Sequence, residues 1–441
     1  MLARLPTVAL FLALCFAVCF FVAHHTGSRA WGLGAFALTG FCPNLMAHGR
    51  LATVDVALSL FCFLAVALFV AMLERPAYIR GAGVGAASAA AALSKTSGNI
   101  LGLVFLLLLA VVRPKERKFY LCLLMAVIAA VAVLEVVILA EGGEAYVAAN
   151  FPDLPRVAVP FAEYLANLAA IRDWYRWGHD KPQFLLGEFS TRGWWHYYPV
   201  AIALKTTIPA LLLVAGSWLV AFVSWRRRSG PAESQEPGGG SRNAVLACLL
   251  FAALFLLIAA RGQLALGIRY VLPIYPFLYA AAMILWSAAR VARRHVVWMV
   301  TVLLVWHAGE NLAAYPSYIG YFNEFIGSHR NADRFLIDSN LDWGQDLRRL
   351  DVWCLENGVT EIALHYFGGA DPEFDLTARV IGGYGPGAAL LPKGFFALSR
   401  HFYRVSFSPQ VSRVTYDDYL AASKARYVTT VGDSIMVYRI E

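Results

Sequence analysis

Long runs of apolar residues recur through the first 310 positions of the chain, separated by short polar segments. A helix needs about 20 apolar residues, or about 17 at the short end, to cross the hydrocarbon layer of a bilayer. The pattern predicts ten membrane spans, several of them short: residues 5–22, 31–45, 54–72, 81–93, 100–112, 119–140, 197–225, 244–260, 270–289 and 296–308. The first run could instead be a secretory signal, but Phe21 lies where a cleavage site needs a small residue, so we predict a span.

The pattern changes near residue 331, where the apolar runs become short and alternate with polar residues. Strands are predicted at 334–337, 361–367, 426–431 and 435–440, the last two as a hairpin. The sequence DWGQ at 342–345 fits a capping box and predicts a helix that ends near Glu356, and a further helix is predicted at 416–425. The fold class is therefore a polytopic α-helical membrane bundle, residues 1–309, with a small C-terminal α/β domain, residues 310–441.

Composition supports this division and excludes two broad classes. Hydrophobic residues make up 59% of the chain and charged residues 15%, against about 25% charged in soluble domains. An ordinary cytosolic enzyme and a disordered protein are both excluded. The net charge of +8 lies largely in short loops between apolar runs, so it indicates membrane topology and not a nucleic-acid partner. Six of the seven cysteines lie in or beside apolar runs, which is typical of buried thiols.

Lysine and arginine are shared unevenly between alternate loops. One set of short loops holds fourteen of them and the other set holds five. Because cytoplasmic loops are rich in basic residues, the first set is predicted to face the cytoplasm. This places the Pro-, Gly- and Ser-rich linker 226–242 in the cytoplasm, and the loop 141–195 and the C-terminal domain outside the cell membrane. An even number of spans then puts Met1 outside too, beside Arg4, which is an awkward start for insertion.

Polar residues at membrane depth are costly, so each of them is a functional candidate. The segment AHGRLATVD, residues 47–55, lies at the predicted outer mouth of two spans and contains His48, Arg50 and Asp55. Asp55 heads an apolar helix, where a carboxylate also stabilises the helix dipole. Two interpretations therefore stay open for Asp55: a helix-end carboxylate, or a carboxylate that lines an external catalytic cavity.

Three cations are predicted near the same depth of the outer leaflet: Lys95, Lys205 and Arg269, the last followed by Tyr270. Lys95 lies in a polar turn between two apolar runs of only 13 residues, which is tolerated only against protein or a watery cavity. Lysines that reach back to the interface, and the ordinary aromatic belt formed by WWHYY at 194–198, are the structural alternatives. Together the three cations suggest an anionic lipid headgroup.

The segment DSNLDWGQD, residues 338–346, is dense in polar groups and follows a predicted strand. Asp338, Asn340, Asp342 and Gln345 are possible ligand contacts, but helix capping alone explains Asp342 and Gln345 and is the favoured interpretation. No zinc, P-loop, Rossmann, EF-hand or serine-nucleophile spacing is present, so we predict no metal site and no cofactor.

Several of these segments, in this order, resemble the phospholipid-carrier-dependent glycosyltransferases. This family has the GT-C membrane fold and includes protein O-mannosyltransferases (glycosyltransferase family 39) and the bacterial aminoarabinose transferase. The matching pieces run over nearly the whole chain: AHGRLATVD at 47–55, ALSK at 92–95, the stretch 198–209 with KTTIP, GIRYVLPIYP at 267–276 and DSNLDWGQ at 338–345. Each motif is weak singly; in order, they are specific for the superfamily but not for a substrate.

The resemblance implies a sugar donor on a polyprenyl phosphate, bound from the outer leaflet, and inverting transfer to an acceptor hydroxyl. Asp55 matches an acidic position of the family and would be the catalytic carboxylate. His48, Arg50, Lys95, Lys205, Arg269 and Tyr270 would bind the lipid phosphate or the substrate. The acceptor could be a protein, a lipid or a polysaccharide, and the resemblance implies no metal.

One departure from the family pattern stands beside this expectation. Family members carry their principal acidic pair in an external loop after an additional first span, and this sequence begins at what resembles their second span. Together with the position of Arg4, this leads us to expect a missing upstream segment, without which activity is doubtful. The alternatives are a transporter or flippase for a lipid-linked anion, and a catalytically inactive relative.

Overall fold

A computed structural model describes residues 2–141, 164, 182–226, 239–261, 265–289, 293–382, 385–386, 390–408 and 410–441. Their contacts divide the chain into two compact units. The first unit comprises Met1–Gly178, Ile208–Ala259 and Tyr270–Glu310; the second comprises His179–Thr207, Ala260–Arg269 and Asn311–Glu441. The segments 179–207 and 260–269, the first of which includes the start of the predicted span 197–225, therefore belong with the C-terminal part.

A helix lies at each of the ten predicted spans. Among the described residues, five helices are long and apolar enough to cross a bilayer, which makes the chain a multi-pass membrane protein: Leu5–Thr26, Asp55–Glu74, Arg117–Ala140, Gly240–Arg261 and Arg293–Ala313. The remaining apolar helices are shorter: Arg29–Gly40, Pro43–Gly49, Tyr78–Ser94, Ile100–Val112 and Ile274–Ser287. The predicted span at 197–225 is broken, because Tyr197–Lys205 and Ile208–Arg226 are separate helices with Thr206 and Thr207 between them.

Small residues bring two helices of the first unit into close contact. A Cβ atom on Gly81 would lie 2.2 Å from the carbonyl oxygen of Cys122, and one on Gly85 would lie 2.0 Å from that of Ala126. Glycines four positions apart share one helix face and let two backbones approach closely. The helix Tyr78–Ser94 therefore packs tightly against Arg117–Ala140.

The second unit contains a two-stranded hairpin and a five-stranded sheet. The hairpin consists of β1 Gln183–Leu185 and β2 Glu188–Ser190. The sheet consists of β3 Glu361–His365, β4 Arg379–Ile381, β5 Gly394–Ser399, β6 Ala425–Val431 and β7 Ile435–Ile440, in the order β4-β3-β5-β7-β6. Strand β3 runs parallel to β4 and β5, while β7 is antiparallel to β5 and β6. The predicted hairpin near the C-terminus is confirmed.

Alternate residues of the strands form two apolar layers, one on each face of the sheet. Ile362, Ala397 and Val437 pack in a cluster with helix Leu347–Glu356. Ala363 and Phe396 pack in the other cluster, which contains residues of helix Tyr416–Ala422. Shorter helices complete this unit: Pro372–Asp375 and Arg400–Val405.

Some local predictions for the C-terminal part are wrong. Residues 334–337 form no strand; Arg334 ends a 3-10 turn and residues 335–337 follow it. The helix that ends at Glu356 begins at Leu347, and no side chain caps it, so the predicted capping box at 342–345 is absent. The linker 226–242 and the loop 141–195 lie largely outside the described residues.

Candidate functional site

Asp55 is the first residue of helix Asp55–Glu74 and is 2% exposed. Its carboxylate accepts a hydrogen bond from the Lys95 ammonium, with Nζ 2.9 Å from Oδ1. Burial strengthens such a pair, because the surrounding dielectric is low. The structure therefore brings together two predicted site residues that lie 40 positions apart in the sequence.

Lys95 is placed by a break in the helical backbone. Helix Tyr78–Ser94 ends just before it, Lys95 itself is extended, and a 3-10 turn follows at Thr96–Asn99. The ammonium also lies over the ring of Tyr270, 4.3 Å from its centroid, which is a cation–π distance. One predicted site residue, Tyr270, thus orients another.

His48 completes what we call the Asp55 cluster: His48, Asp55, Lys95 and Tyr270, all in the first unit. The imidazole Nδ1 of His48 lies 4.0 Å from Asp55 Oδ2, and the ring is 2% exposed. Two buried hydroxyl oxygens close by in sequence, Thr53 Oγ1 and Ser97 Oγ, have no hydrogen-bond partner among the described residues. Unsatisfied buried polar atoms are rare in native proteins, and a ligand is one physical reason for them.

A second set of contacts, the Tyr197 network, lies within the second unit. The Tyr197 hydroxyl accepts from the amide of Gly267 at 3.2 Å and from Asn340 Nδ2 at 2.9 Å. Asn340 Oδ1 in turn accepts from the amide of Ile268 at 2.9 Å. Tyr197, which the sequence placed in an aromatic belt, instead fixes the loop before Arg269. A belt tyrosine and a buried one look alike in sequence, so no signal distinguished them.

Lys205 belongs to the same network and is 1% exposed. Its ammonium donates to the carbonyl oxygens of Ile319 at 2.6 Å and Asn340 at 2.5 Å, and lies 4.4 Å from the ring centroid of Phe322. These contacts give Lys205 a structural role. Its predicted contact with phosphate stays a prediction.

Arg269 stacks its guanidinium on the indole of Trp343, with Cζ 4.1 Å from the ring centroid. Its Nε is buried and has no hydrogen-bond partner in the described part of the chain. A guanidinium presents its donors in a planar fork that suits phosphate oxygens. Arg269 is thus a stacked, incompletely satisfied cation.

The polar residues of 338–346 are bonded within the second unit. Asp342 is buried, accepts from Ser399 Oγ and from the Gly344 amide, and its burial raises its pKa to about 7. Gln345 Oε1 accepts from the Trp343 amide and its Nε2 donates to the Leu341 carbonyl. The interpretation of Asp342 and Gln345 as helix caps is wrong. Their side chains bond within residues 341–345 and with Ser399, and no side chain caps the helix Leu347–Glu356.

Two further candidates have other surroundings. Arg50 directly follows the helix Pro43–Gly49 and is half-buried. Asp338 has a left-handed backbone, with φ at 59°, and its Oδ1 accepts from the Ser339 amide. The Asp338 amide donates to Nδ1 of His401, whose pKa burial lowers to about 4.

Known proteins show little sequence similarity to this chain. No known family profile matches the chain, and no curated protein sequence matches it. A crystal structure of ArnT from Cupriavidus metallidurans bound to undecaprenyl phosphate is similar at 15% identity and a TM-score of 0.46, over 99% of this chain and 83% of that one.

Proposed function

We propose that this chain is a membrane glycosyltransferase that moves a sugar from a polyprenyl-phosphate donor to an acceptor hydroxyl on the outer face. The observation that carries the proposal is the buried Asp55–Lys95 pair, with the two ionic atoms 2.9 Å apart. A buried ion pair is weak evidence for stability alone, since desolvation offsets much of the attraction. The order of the sequence motifs around it supports a transferase.

The chemistry assigns a different task to each partner. The acceptor oxygen attacks the anomeric carbon, the bond from that carbon to the phosphate oxygen breaks, and the acceptor proton passes to Asp55. The departing lipid phosphate gains negative charge, which the Lys95 ammonium stabilises. Attack opposite the leaving group inverts the sugar. Because donor phosphate competes with Asp55 for Lys95, binding of the donor frees the carboxylate to act as the base.

The unsatisfied polar atoms support a ligand in each unit. Thr53 and Ser97 stand two residues from Asp55 and Lys95, and their buried oxygens lack a partner within the described residues. In the second unit, the unpartnered Nε of Arg269 suits a phosphate oxygen. We assign phosphate binding to Arg269 on this ground, independently of the Asp55 cluster.

The test uses full-length protein in proteoliposomes with polyprenyl-phosphate mannose or polyprenyl-phosphate aminoarabinose as donor and a membrane fraction as acceptor. Release of polyprenyl phosphate and labelled product are both measured. We expect Asp55→Asn to lower sugar transfer about 100-fold or more while donor binding persists. Lys95→Met should weaken both sugar transfer and donor binding. Glu135→Gln, an acid on another apolar helix, is the matched control and should transfer normally.

Two outcomes would replace the proposal. Movement of the donor across the bilayer without sugar transfer would indicate a transporter or flippase. Donor binding without turnover against every acceptor would indicate an inactive relative. Full transfer by Asp55→Asn would remove Asp55 from the mechanism.

A further inference from the structure

Three metal-ligating side chains meet in the first unit, away from the Asp55 cluster. His24 Nε2 lies 3.4 Å from one carboxylate oxygen of Glu74, and His25 Nδ1 lies 3.5 Å from the other. One ligand atom from each residue can be chosen so that all three lie within 4.8 Å of one another. The histidines precede Glu74 by about 50 positions, which is why no metal-binding spacing is visible in the sequence.

Two helix ends build this cluster. His24 and His25 lie in the last turn of helix Leu5–Thr26, which Gly27 closes with a left-handed φ of 63°. Glu74 is the last residue of helix Asp55–Glu74. The His25 side chain is 5% exposed and that of Glu74 23%, whereas His24 is 69% exposed. The cluster is therefore shielded on one side and open to water on the other.

Neighbouring residues hold the ligands in place. Ser241 Oγ donates to the carbonyl oxygen of His25 at 2.7 Å. A Cβ atom on Gly240 would lie 2.1 Å from Glu74 Oε1, so the backbone at the start of helix Gly240–Arg261 lies directly against the carboxylate. The ring of His25 also makes an edge contact with Phe21, at a centroid distance of 4.5 Å.

We propose that His24, His25 and Glu74 form a zinc site that joins the ends of these two helices. The two nitrogens lie 3.4 and 3.5 Å from different oxygens of Glu74, and the three ligand atoms lie within 4.8 Å of one another. Small side-chain rotations would therefore bring all three residues to zinc bonds of about 2.0–2.2 Å. Direct hydrogen bonds from nitrogen to oxygen are shorter, about 2.7–3.2 Å. The set of two imidazoles and one carboxylate suits zinc, with a water as fourth ligand on the exposed side of His24.

The proposed site is independent of the sugar chemistry. It tethers two spans at the end opposite Asp55 on helix Asp55–Glu74, since Asp55 and Glu74 are the two ends of one helix. Bound metal should therefore stabilise the folded chain, because it binds the folded state in preference to the unfolded one.

The test uses full-length protein in detergent, with any polyhistidine tag removed and metals stripped by a chelator. Zinc is then titrated against a competing indicator, bound metal is counted by mass spectrometry, and the thermal midpoint is recorded. We expect one zinc per chain and a raised midpoint. His25→Ala and Glu74→Gln should weaken zinc binding at least tenfold, and both should lose the midpoint rise. His295→Ala, which removes an exposed histidine from another helix, should bind zinc normally.

A second measurement keeps the proposal testable if a variant misfolds. Cobalt substituted into the wild-type protein should give the intense visible absorption of a four-coordinate site. Octahedral cobalt spectra, a wild-type zinc content well below one, or equal zinc binding by a folded Glu74→Gln variant would each overturn the site.

Discussion

Lys205 is 1% exposed, and its hydrogen bonds explain why a charged side chain is buried at this position. Its ammonium binds two main-chain carbonyl oxygens from distant parts of the second unit, at Ile319 and Asn340. Because Asn340 also binds the Tyr197 hydroxyl, one cation and one amide hold the same turn. The residue therefore has two testable roles, in folding and in phosphate binding.

Replacing Lys205 by methionine separates these roles. The variant keeps the length of the side chain but removes the donor from two buried carbonyl groups, each costing about 1–3 kcal/mol. We expect a lower thermal midpoint of the purified full-length protein, and sugar transfer per folded molecule reduced by less than tenfold. Lys393→Met, at an exposed lysine of the same unit, is the control and should leave the midpoint unchanged. An unchanged midpoint with abolished transfer would instead favour phosphate binding.

Asp342 makes the second unit sensitive to pH. Burial raises its pKa to about 7 in the folded protein, above its ordinary value of 3.8, so the folded state binds the proton more tightly than the unfolded state. The free energy of unfolding should therefore fall by about 1.4 kcal/mol per pH unit as pH rises from about 4 to about 7, and stay level above that. His401, whose pKa is lowered to about 4, has the opposite slope between about 4 and 6.5.

The contribution of Asp342 is isolated by comparing the wild type with Asp342→Asn, which cannot ionise. Hydrogen exchange of β5, whose Ser399 hydroxyl bonds Asp342, should slow in the variant relative to the wild type as pH rises from 5 to 8. Glu356→Gln, at the exposed end of a helix, should show the wild-type dependence. If the wild type and Asp342→Asn respond alike to pH, Asp342 is ionised throughout and the raised pKa is wrong.

Among the elements, those fixed by local pattern were predictable and those fixed by distant partners were not. The C-terminal hairpin and the helix end at Glu356 follow from alternation and from Asn357-Gly358. The sequence predicts the turn at 342–345 incorrectly, because Asp342 accepts a hydrogen bond from Ser399, more than 50 positions away, and not from a helix amide. Asp55 and Lys95 can be recognised as candidates in the sequence, because charged residues within apolar segments are rare and costly. Their pairing cannot be recognised there, since it depends on helix packing.

Helix packing itself can be tested at Gly85. A side chain there would meet the carbonyl oxygen of Ala126, which belongs to the backbone and cannot rotate away. We expect Gly85→Leu to destabilise the protein by more than the 1–3 kcal/mol typical of core overpacking, measured as the loss of monodisperse protein on heating in detergent. Gly102→Leu is the matched control, because a Cβ on Gly102 meets nothing within 4 Å. Equal stability of the two variants would contradict the close contact.

At the scale of the whole molecule, the order of segments along the chain hides which of them pack together. Residues 179–207 and 260–269 belong to the second unit although the first of these segments includes the start of the predicted span 197–225. Lys205 and Tyr197 of the first segment bond with Ile319 and Asn340, and Tyr197 also bonds with Gly267 of the second segment. Hydropathy reports burial but not the partner, so it cannot make this assignment.

Membrane orientation is the largest-scale prediction, and it depends on the fourteen basic residues in one set of loops against five in the other. Cys19 is only partly buried, whereas the other six cysteines are buried, so a Cys19→Ser background is suitable for site-directed labelling. We expect an impermeant maleimide to label Gly369→Cys on intact cells and to label Lys115→Cys only after permeabilisation, both positions being exposed. The reverse pattern would place the C-terminal domain in the cytoplasm. An outer-leaflet donor would then lie on the opposite side of the membrane from the sheet unit, and the proposed transfer would need a different face.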